Sequence, residues 1–174
     1  MSTLCSPPSH SVPNTEQTHS ASVTVDMKRV LVSAGLIRAP HGHPEEGKIL
    51  MTRRLADVHL ANAWEFPGGK VELGEDPMSA LHRELNEELA IKVDRVSIYS
   101  VGHHVYKLDS QEGSRKAKDV VLLVYECFLS FGEPQKIGVS DFAWLSPAEV
   151  CKLPLPPADE EIIARLRCEL EGRA

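Results

Sequence analysis

The chain is short of basic charge, of long apolar runs and of cysteine, and each shortage removes a class of function. Nineteen Lys and Arg stand against 25 Asp and Glu in 174 residues, a net charge of −6. A protein that tracks a nucleic-acid polymer needs the opposite balance, because phosphate contacts are made by a basic excess. No stretch approaches the roughly 18 consecutive apolar residues of a membrane-crossing helix. The four cysteines, Cys5, Cys127, Cys151 and Cys168, are too scattered to form a ligand-like pair, so they read as buried or idle thiols of a reducing cytoplasm. Residues 1–25 have neither the basic start nor the apolar segment of a secretory signal. Rich in Ser, Thr and Pro, they are expected to form a disordered leader, with residues 26–174 as one domain. A hydrophobic content of 42% provides for one well-packed core and little for a second.

What is present is concentrated between Trp64 and Ile91, WEFPGGKVELGEDPMSALHRELNEELAI. A helix over Pro77–Leu89 is predicted: Asp76 is an N-cap acceptor, and Pro77 takes the one helical position where a missing N–H costs nothing. Met78, Leu81, Leu85 and Leu89 recur at helical spacing and form the expected core-facing stripe. Glu84, Glu87 and Glu88 fall at i, i+3 and i+4 on another face. Like charges at that spacing repel by a few tenths of a kcal/mol, and a divalent cation gives them a reason to be together. Hard cations such as Mg²⁺ prefer carboxylate oxygens and keep coordination positions for water and substrate phosphates.

Gly69, Glu75, Arg83, Glu84, Leu85, Glu87, Glu88 and Ile91 stand at the spacing of the Nudix box, and the stretch resembles that family. One position departs: the family's late glycine, which ends the helix with a left-handed residue, is Ala90. The preceding block from Thr52 to Lys70, TRRLADVHLANAWEFPGGK, is similar to MutT-type members, which act on nucleoside triphosphates. The resemblance implies a Nudix-type α/β/α sandwich with a mixed β-sheet. It also implies metal ligation by Glu84, Glu87, Glu88 and the carbonyl of Gly68, with Mg²⁺ as the cofactor and Mn²⁺ as a substitute. Arg83 is implied to orient the carboxylates, Glu84 is the favoured general base, and Glu75 reaches the metal or holds Arg83, the second being favoured. Arg54 matches a phosphate-contacting arginine, against a surface ion pair. Phe66 precedes the paired glycines and is implied to border the substrate, and His59 lines the nucleoside pocket or is simply packed or solvated. A further metal-binding acid is expected six residues before Trp144, but Gly138 stands there; Glu133 and Asp141 are the nearby acids, with Glu133 the weakly favoured substitute.

The remaining chain reads as strands over 28–37, 48–52, 96–107 and 119–129. His41 and His43 lie in a polar turn and are read as solvated. Lys116 and Lys118 are assigned to a polar hairpin tip and treated as solvated. Ser146 with Glu149 forms a capping box, and a last helix is expected over 159–170, packed through Ile162, Ile163, Leu166 and Leu170. The PPAD turn places Asp159 where MutT-type enzymes read the base, although an Asp there also serves as a plain helix N-cap. An ionised Asp only accepts hydrogen bonds, which suits the N1–H and exocyclic amine of guanine.

The function this implies is Mg²⁺-dependent hydrolysis of 8-oxo-dGTP, or of 8-oxo-GTP or dGTP, to the monophosphate and pyrophosphate. This would be a cytoplasmic enzyme that sanitises the nucleotide pool, with no membrane or nucleic-acid partner, as a monomer or homodimer. The alternatives are a pyrimidine triphosphate pyrophosphohydrolase of the CTP or 5-methyl-dCTP type and a non-catalytic nucleotide-binding module.

Overall fold

The computed structural model describes residues 25–57, 60–108 and 115–172; the expected leader lies outside the described residues except for Val25. In chain order the elements are β1 (Val25–Arg38), β2 (Ile49–Arg53), β3 (Trp64–Glu65), β4 (Gly68–Lys70), α1 (Pro77–Leu89), β5 (Lys92–Leu108), β6 (Arg115–Phe131), β7 (Asp141–Leu145), α2 (Pro147–Val150), a 3₁₀ turn (Pro157–Asp159) and α3 (Glu160–Leu170). No helix among the described residues is long and apolar enough to cross a membrane.

β1 organises a mixed sheet. It runs parallel to β6, in register from Val25 opposite Arg115 to Arg38 opposite Phe128, and β5 lies antiparallel on the far side of β6. Its other edge changes partner, pairing with β4 over Val32–Ala34 and with β2 over Ile37–Arg38. Between the two, the Gly35 N–H donates to the Pro67 carbonyl at 2.8 Å.

Period-two alternation puts successive side chains of each strand on opposite faces, and both faces are covered. Ala34, Leu36, Leu122 and Val124 pack against Ile162, Ile163 and Leu166 of α3. Ile37, Leu50, Cys127 and Leu129 pack against Leu81, Leu85 and Leu89 of α1. Two helical layers on a mixed sheet are the sandwich expected from the sequence.

Helix α1 starts as its cap predicts. The Asp76 carboxylate accepts from the Ser79 hydroxyl and from the N–H groups of Ser79 and Met78 at 3.1 and 3.0 Å, and these bonds, the hydroxyl's first, hold it below the ordinary carboxylate range. The helix ends at Ala90, which sits in the left-handed region with φ 56°. Three expectations need correction. Leu170, expected to pack the last helix, is 51% exposed at its C-terminal end, and Ile162, Ile163 and Leu166 bury that face. Met78 is 43% exposed, and Ala80 supplies the buried contact of the first turn instead. Lys118 is not at a solvated hairpin tip: β6 already begins at Arg115, and pairing with β1 carries the strand through 118, leaving Lys116 exposed and Lys118 half-buried.

Candidate active site

A cavity of about 450 Å³, within the usual size range for small-molecule sites, opens on the α3 side of β1 and β6. Its floor is apolar, built from Val32, Ala34, Val120 and Leu122. These are alternate residues of two neighbouring strands, so one face of the sheet makes the whole floor.

One end is acidic. Glu84 and Glu88, one helical turn apart on α1, line this end together with the strand Gly68–Lys70. The two glycines make this approach possible. Gly68 has φ 147°, and a Cβ there would come within 2.2 Å of the Ser33 carbonyl oxygen. A Cβ on Gly69 would meet the Glu84 carboxylate at 2.3–2.6 Å.

Arg83 organises the acids around it. Its Nε and Nη2 donate to the two oxygens of Glu75 at 2.9 Å each, a fork-to-fork pair. Nη1 lies 2.9 Å from Glu84 Oε1 and 3.2 Å from Glu87 Oε2, and Nη2 also donates to the Lys70 carbonyl at 3.1 Å. Arg83 and the Glu72 N–H hold Glu75 below its ordinary pKa. Glu75 therefore serves as the anchor of Arg83.

Glu88 shows the opposite effect. Burial pushes its carboxyl up to about 7, and the charges of Glu84 and Glu65 add to the shift. Glu87 is placed differently from its two neighbours: its side chain is 57% exposed, and it does not line the cavity.

Whether this end suits a hard cation can be judged from its donors. Among the described residues no three His, Cys, Asp or Glu side chains converge closely enough to hold an ion by themselves. What is present is a pair of oxygen-donor carboxylates, crowded enough to raise the proton affinity of one, beside a glycine strand that admits a ligand to the backbone. Mg²⁺ is commonly held by one or two carboxylates together with water and substrate phosphates. The donor set fits that ion, and a cation between the carboxylates would reverse the crowding at Glu88.

The other end combines groups from five elements. Arg54, just after β2, pairs with Glu65 of β3, Nη1 to Oε2 2.6 Å. Its guanidinium is thus both an ion-pair partner and a cavity-lining group. Glu65 is raised by burial, with Arg54 opposing. Asp159 is buried in the 3₁₀ turn, and burial, then Glu65, pushes its carboxyl up to about 7. It makes no side-chain cap bond to α3, so the plain N-cap role does not occupy it. Tyr106 on β5 shares a hydrogen bond with the Ala158 backbone. Lys118 lies opposite it on β6 and is lowered by burial and then by the charges of Lys70, Arg54 and Lys28.

Phe66 is buried, joins the core against α3 and lines the cavity. His59 lies outside the described residues. Neither late-loop acid lines the cavity. Glu133 is exposed, and Asp141 is held by Lys136 Nζ at 2.6 Å and by the Phe142 N–H. Gly138 packs directly on Glu88, where a Cβ would come within 2.8 Å of Glu88 Cγ. The favoured substitute, Glu133, is therefore not among the cavity acids: the loop that follows it is tied by Gln135 and Ile137 to the last carbonyls of α1, and it is Gly138 that reaches Glu88. The turn histidines are also accounted for: His41 pairs with Glu46, and His43 packs near Trp144.

Sequence reasoning passed over Glu65, Tyr106 and Lys118. For Lys118 a signal existed. It continues the alternation Val120, Leu122, Val124 toward the N-terminal end of β6, so it shares their face.

The NUDIX domain family model matches residues 31–166. Over 141 residues the chain is 35% identical to the 8-oxo-dGTP diphosphatase of Escherichia coli K12, covering 81% of this chain and 98% of that protein. It is also 35% identical over 133 residues to the CTP pyrophosphohydrolase of the same organism, covering 76% of this chain and 87% of that one. A solved MutT structure, from work on the Aliivibrio salmonicida and Vibrio cholerae proteins, superposes with a TM-score of 0.54 at 26% identity, covering 82% of this chain and 99% of that one.

Proposed function

Because the chain belongs to the NUDIX domain family, we propose that it is a divalent-metal-dependent nucleoside triphosphate pyrophosphohydrolase acting on 8-oxo-dGTP. The products are the monophosphate and pyrophosphate. One observation carries the reading: a single cavity joins a carboxylate pair beside a glycine strand to a buried base-sized end lined by Tyr106 and Asp159.

Glu84, Glu88 and the Gly68 carbonyl would hold Mg²⁺, with Glu87 reaching in from its exposed position. Bound Mg²⁺ supplies neutralisation of phosphate charge and a lower pKa for its water. Arg83, fixed by Glu75, sets the orientation of Glu84. It grips one oxygen while the carboxylate packs on Gly69, so Glu84 is the assigned acceptor of the attacking water's proton. Arg54 contacts phosphate, with Glu65 holding the guanidinium in place. Phe66 packs under the nucleoside, and Asp159 takes the base edge. The hydrolase domain in this reading is residues 26–174.

A second reading is favoured by a specific observation, the 35% identity to a CTP pyrophosphohydrolase. In that case Asp159 takes a pyrimidine edge. Pyrophosphate release measured across 8-oxo-dGTP, dGTP, CTP and 5-methyl-dCTP, with and without Mg²⁺, separates the two readings. The highest kcat/KM is expected for 8-oxo-dGTP; preference for a cytosine nucleotide establishes the second reading, and no release from any of them refutes both.

A further inference from the structure

Glu133, the acid of the loop between β6 and β7, does not line the cavity, yet that loop is fastened to the last turn of α1. The Gln135 N–H donates to the Leu89 carbonyl at 2.9 Å, and the N–H groups of Ile137 and Gly138 both donate to the Glu88 carbonyl at 3.1 Å. Carbonyls at a helix end have no partner within the helix, so the loop completes α1 at a residue that carries one of the two cavity carboxylates. The chain is fixed on the far side of Gly138 as well. Val139 is buried in the same cluster as Leu81, Leu85 and Leu89. The Ser140 N–H donates to the Arg53 carbonyl at 2.9 Å, and its hydroxyl lies 3.1 and 2.9 Å from the Arg53 and Arg54 carbonyls.

Between these anchors Gly138 lies against Glu88. A Cβ at 138 would stand 2.8 Å from Glu88 Cγ, 3.1 Å from its Cα and 3.2 Å from its Cβ, inside the roughly 3.5–4.0 Å of ordinary carbon–carbon contact. With hydrogen bonds on one side and a buried valine on the other, the loop has little room to retreat. The atom free to give way is Cγ, and the carboxylate moves with it. The bare backbone at 138 therefore closes one side of the Glu88 side chain and leaves it the direction of the cavity, which it lines. Glu87, one residue earlier on the helix, is exposed and does not line it.

We propose that Gly138 is a positioning residue: it clamps Glu88 with its carboxylate toward the metal, and the loop acts on the ion through Glu88 instead of through an acid of its own. This rests on the metal-dependent reading of the cavity. A side chain already confined loses less freedom on taking an ion, so confinement appears as affinity. Any side chain at 138, an acidic one included, then weakens the site by displacing Glu88.

The test is Mn²⁺ binding to the full chain without nucleotide, with the free ion counted by electron paramagnetic resonance, so that turnover plays no part. The Kd of G138A is expected to rise about tenfold, the lower end of the range for partners that orient metal ligands. G138D should weaken binding too, although it adds a carboxylate where the family resemblance implies a ligand. In G138A the Mg²⁺ concentration that half-saturates pyrophosphate release should rise by a similar factor, a shift that mere loss of folded protein does not produce. If melting in EDTA shows that the glycine variants do not fold, S140A replaces them. It loosens the far anchor without adding an atom near Glu88, and should raise the Kd about threefold, within the scale of one neutral hydrogen bond. Wild-type Mn²⁺ affinity in a folded glycine variant, tighter binding by G138D, or an unchanged S140A in their stead overturns the proposal. Wild-type protein that binds no Mn²⁺ overturns it together with the metal-dependent reading. The expected losses of Mn²⁺ binding without pyrophosphate release from any triphosphate would refute the hydrolase reading and leave the role of Gly138 standing.

Discussion

Replacing Glu88 by Gln should stabilise the metal-free protein while removing its activity, a pair of opposite signs that few substitutions share. The Glu88 carboxyl is raised from the ordinary 4.5 to about 7 by burial and by the charges of Glu84 and Glu65. An acid whose folded pKa lies above its unfolded value costs stability once ionised: the folded state binds the extra proton, so stability falls as pH rises from about 4.5 to 7. At 1.36 kcal/mol per tenfold change, the full effect is about 3 kcal/mol. Solvent screening of a half-buried carboxyl leaves roughly 1–2 kcal/mol. At about 2–4 °C per kcal/mol for a domain of this size, E88Q in EDTA at pH 8 should melt several degrees above wild type. Its advantage should shrink toward pH 5. Asp159 titrates with the same sign, so a smaller slope remains in the variant. Adding Mg²⁺ should raise the melting temperature of wild type and do much less for E88Q, because a ligand stabilises only the state that binds it. Turnover should fall by orders of magnitude at saturating Mg²⁺. The assay is a melting series from pH 5 to 8 with EDTA or Mg²⁺, beside pyrophosphate release. An E88Q protein that melts lower than wild type in EDTA at pH 8, or that keeps near-normal turnover, refutes the reasoning.

Three further outcomes are expected. The left-handed Ala90 costs about 1–2 kcal/mol, partly offset by the greater unfolded-state entropy of glycine. A90G should therefore gain about 0.5–1 kcal/mol, read as a rise of roughly 2 °C in Tm with kcat unchanged. E75Q weakens the bidentate grip on Arg83 without touching a carboxylate of the cavity; kcat should drop about 10–100-fold, the usual scale for a partner that orients metal ligands, with far-UV circular dichroism unchanged. D159N removes a buried carboxyl held at about 7. Stability lost by wild type as pH rises from 3.8 toward 7 should be recovered in the variant, in melts at pH 8, and the pH dependence of KM near neutrality should flatten in steady-state assays over pH 6–8.

Much of the frame was legible because its causes are local. Asp76, Pro77 and the 3–4 spacing of Leu81, Leu85 and Leu89 act within a few residues of one another, and α1 begins and ends where they say. Ser146 and Glu149 likewise form their capping box within one turn. Met78 fits the same periodicity but is exposed, since periodicity says which way a side chain points and not whether anything lies opposite. The hairpin tip was read too long for a related reason. The polar residues 115–118 look like a turn by composition, yet pairing with β1, some ninety residues earlier, draws them into β6.

The sequence by itself determined the helix that bears the glutamates, the glycine strand opposite, and the family. These depend on spacings within one short stretch, where i, i+3 and i+4 positions are neighbours by helical geometry. Only the tertiary structure decided which of the three glutamates line the cavity, and that neither Glu133 nor Asp141 joins them. It alone brought Arg54, Glu65, Tyr106, Lys118 and Asp159 to one end. Those five come from separate elements up to about a hundred residues apart, and their shared environment is created by burial and strand register. Both are properties of the packed chain, and so are the shifted proton affinities of Glu88 and Asp159, because a carboxyl leaves its ordinary range only when water is taken away from it.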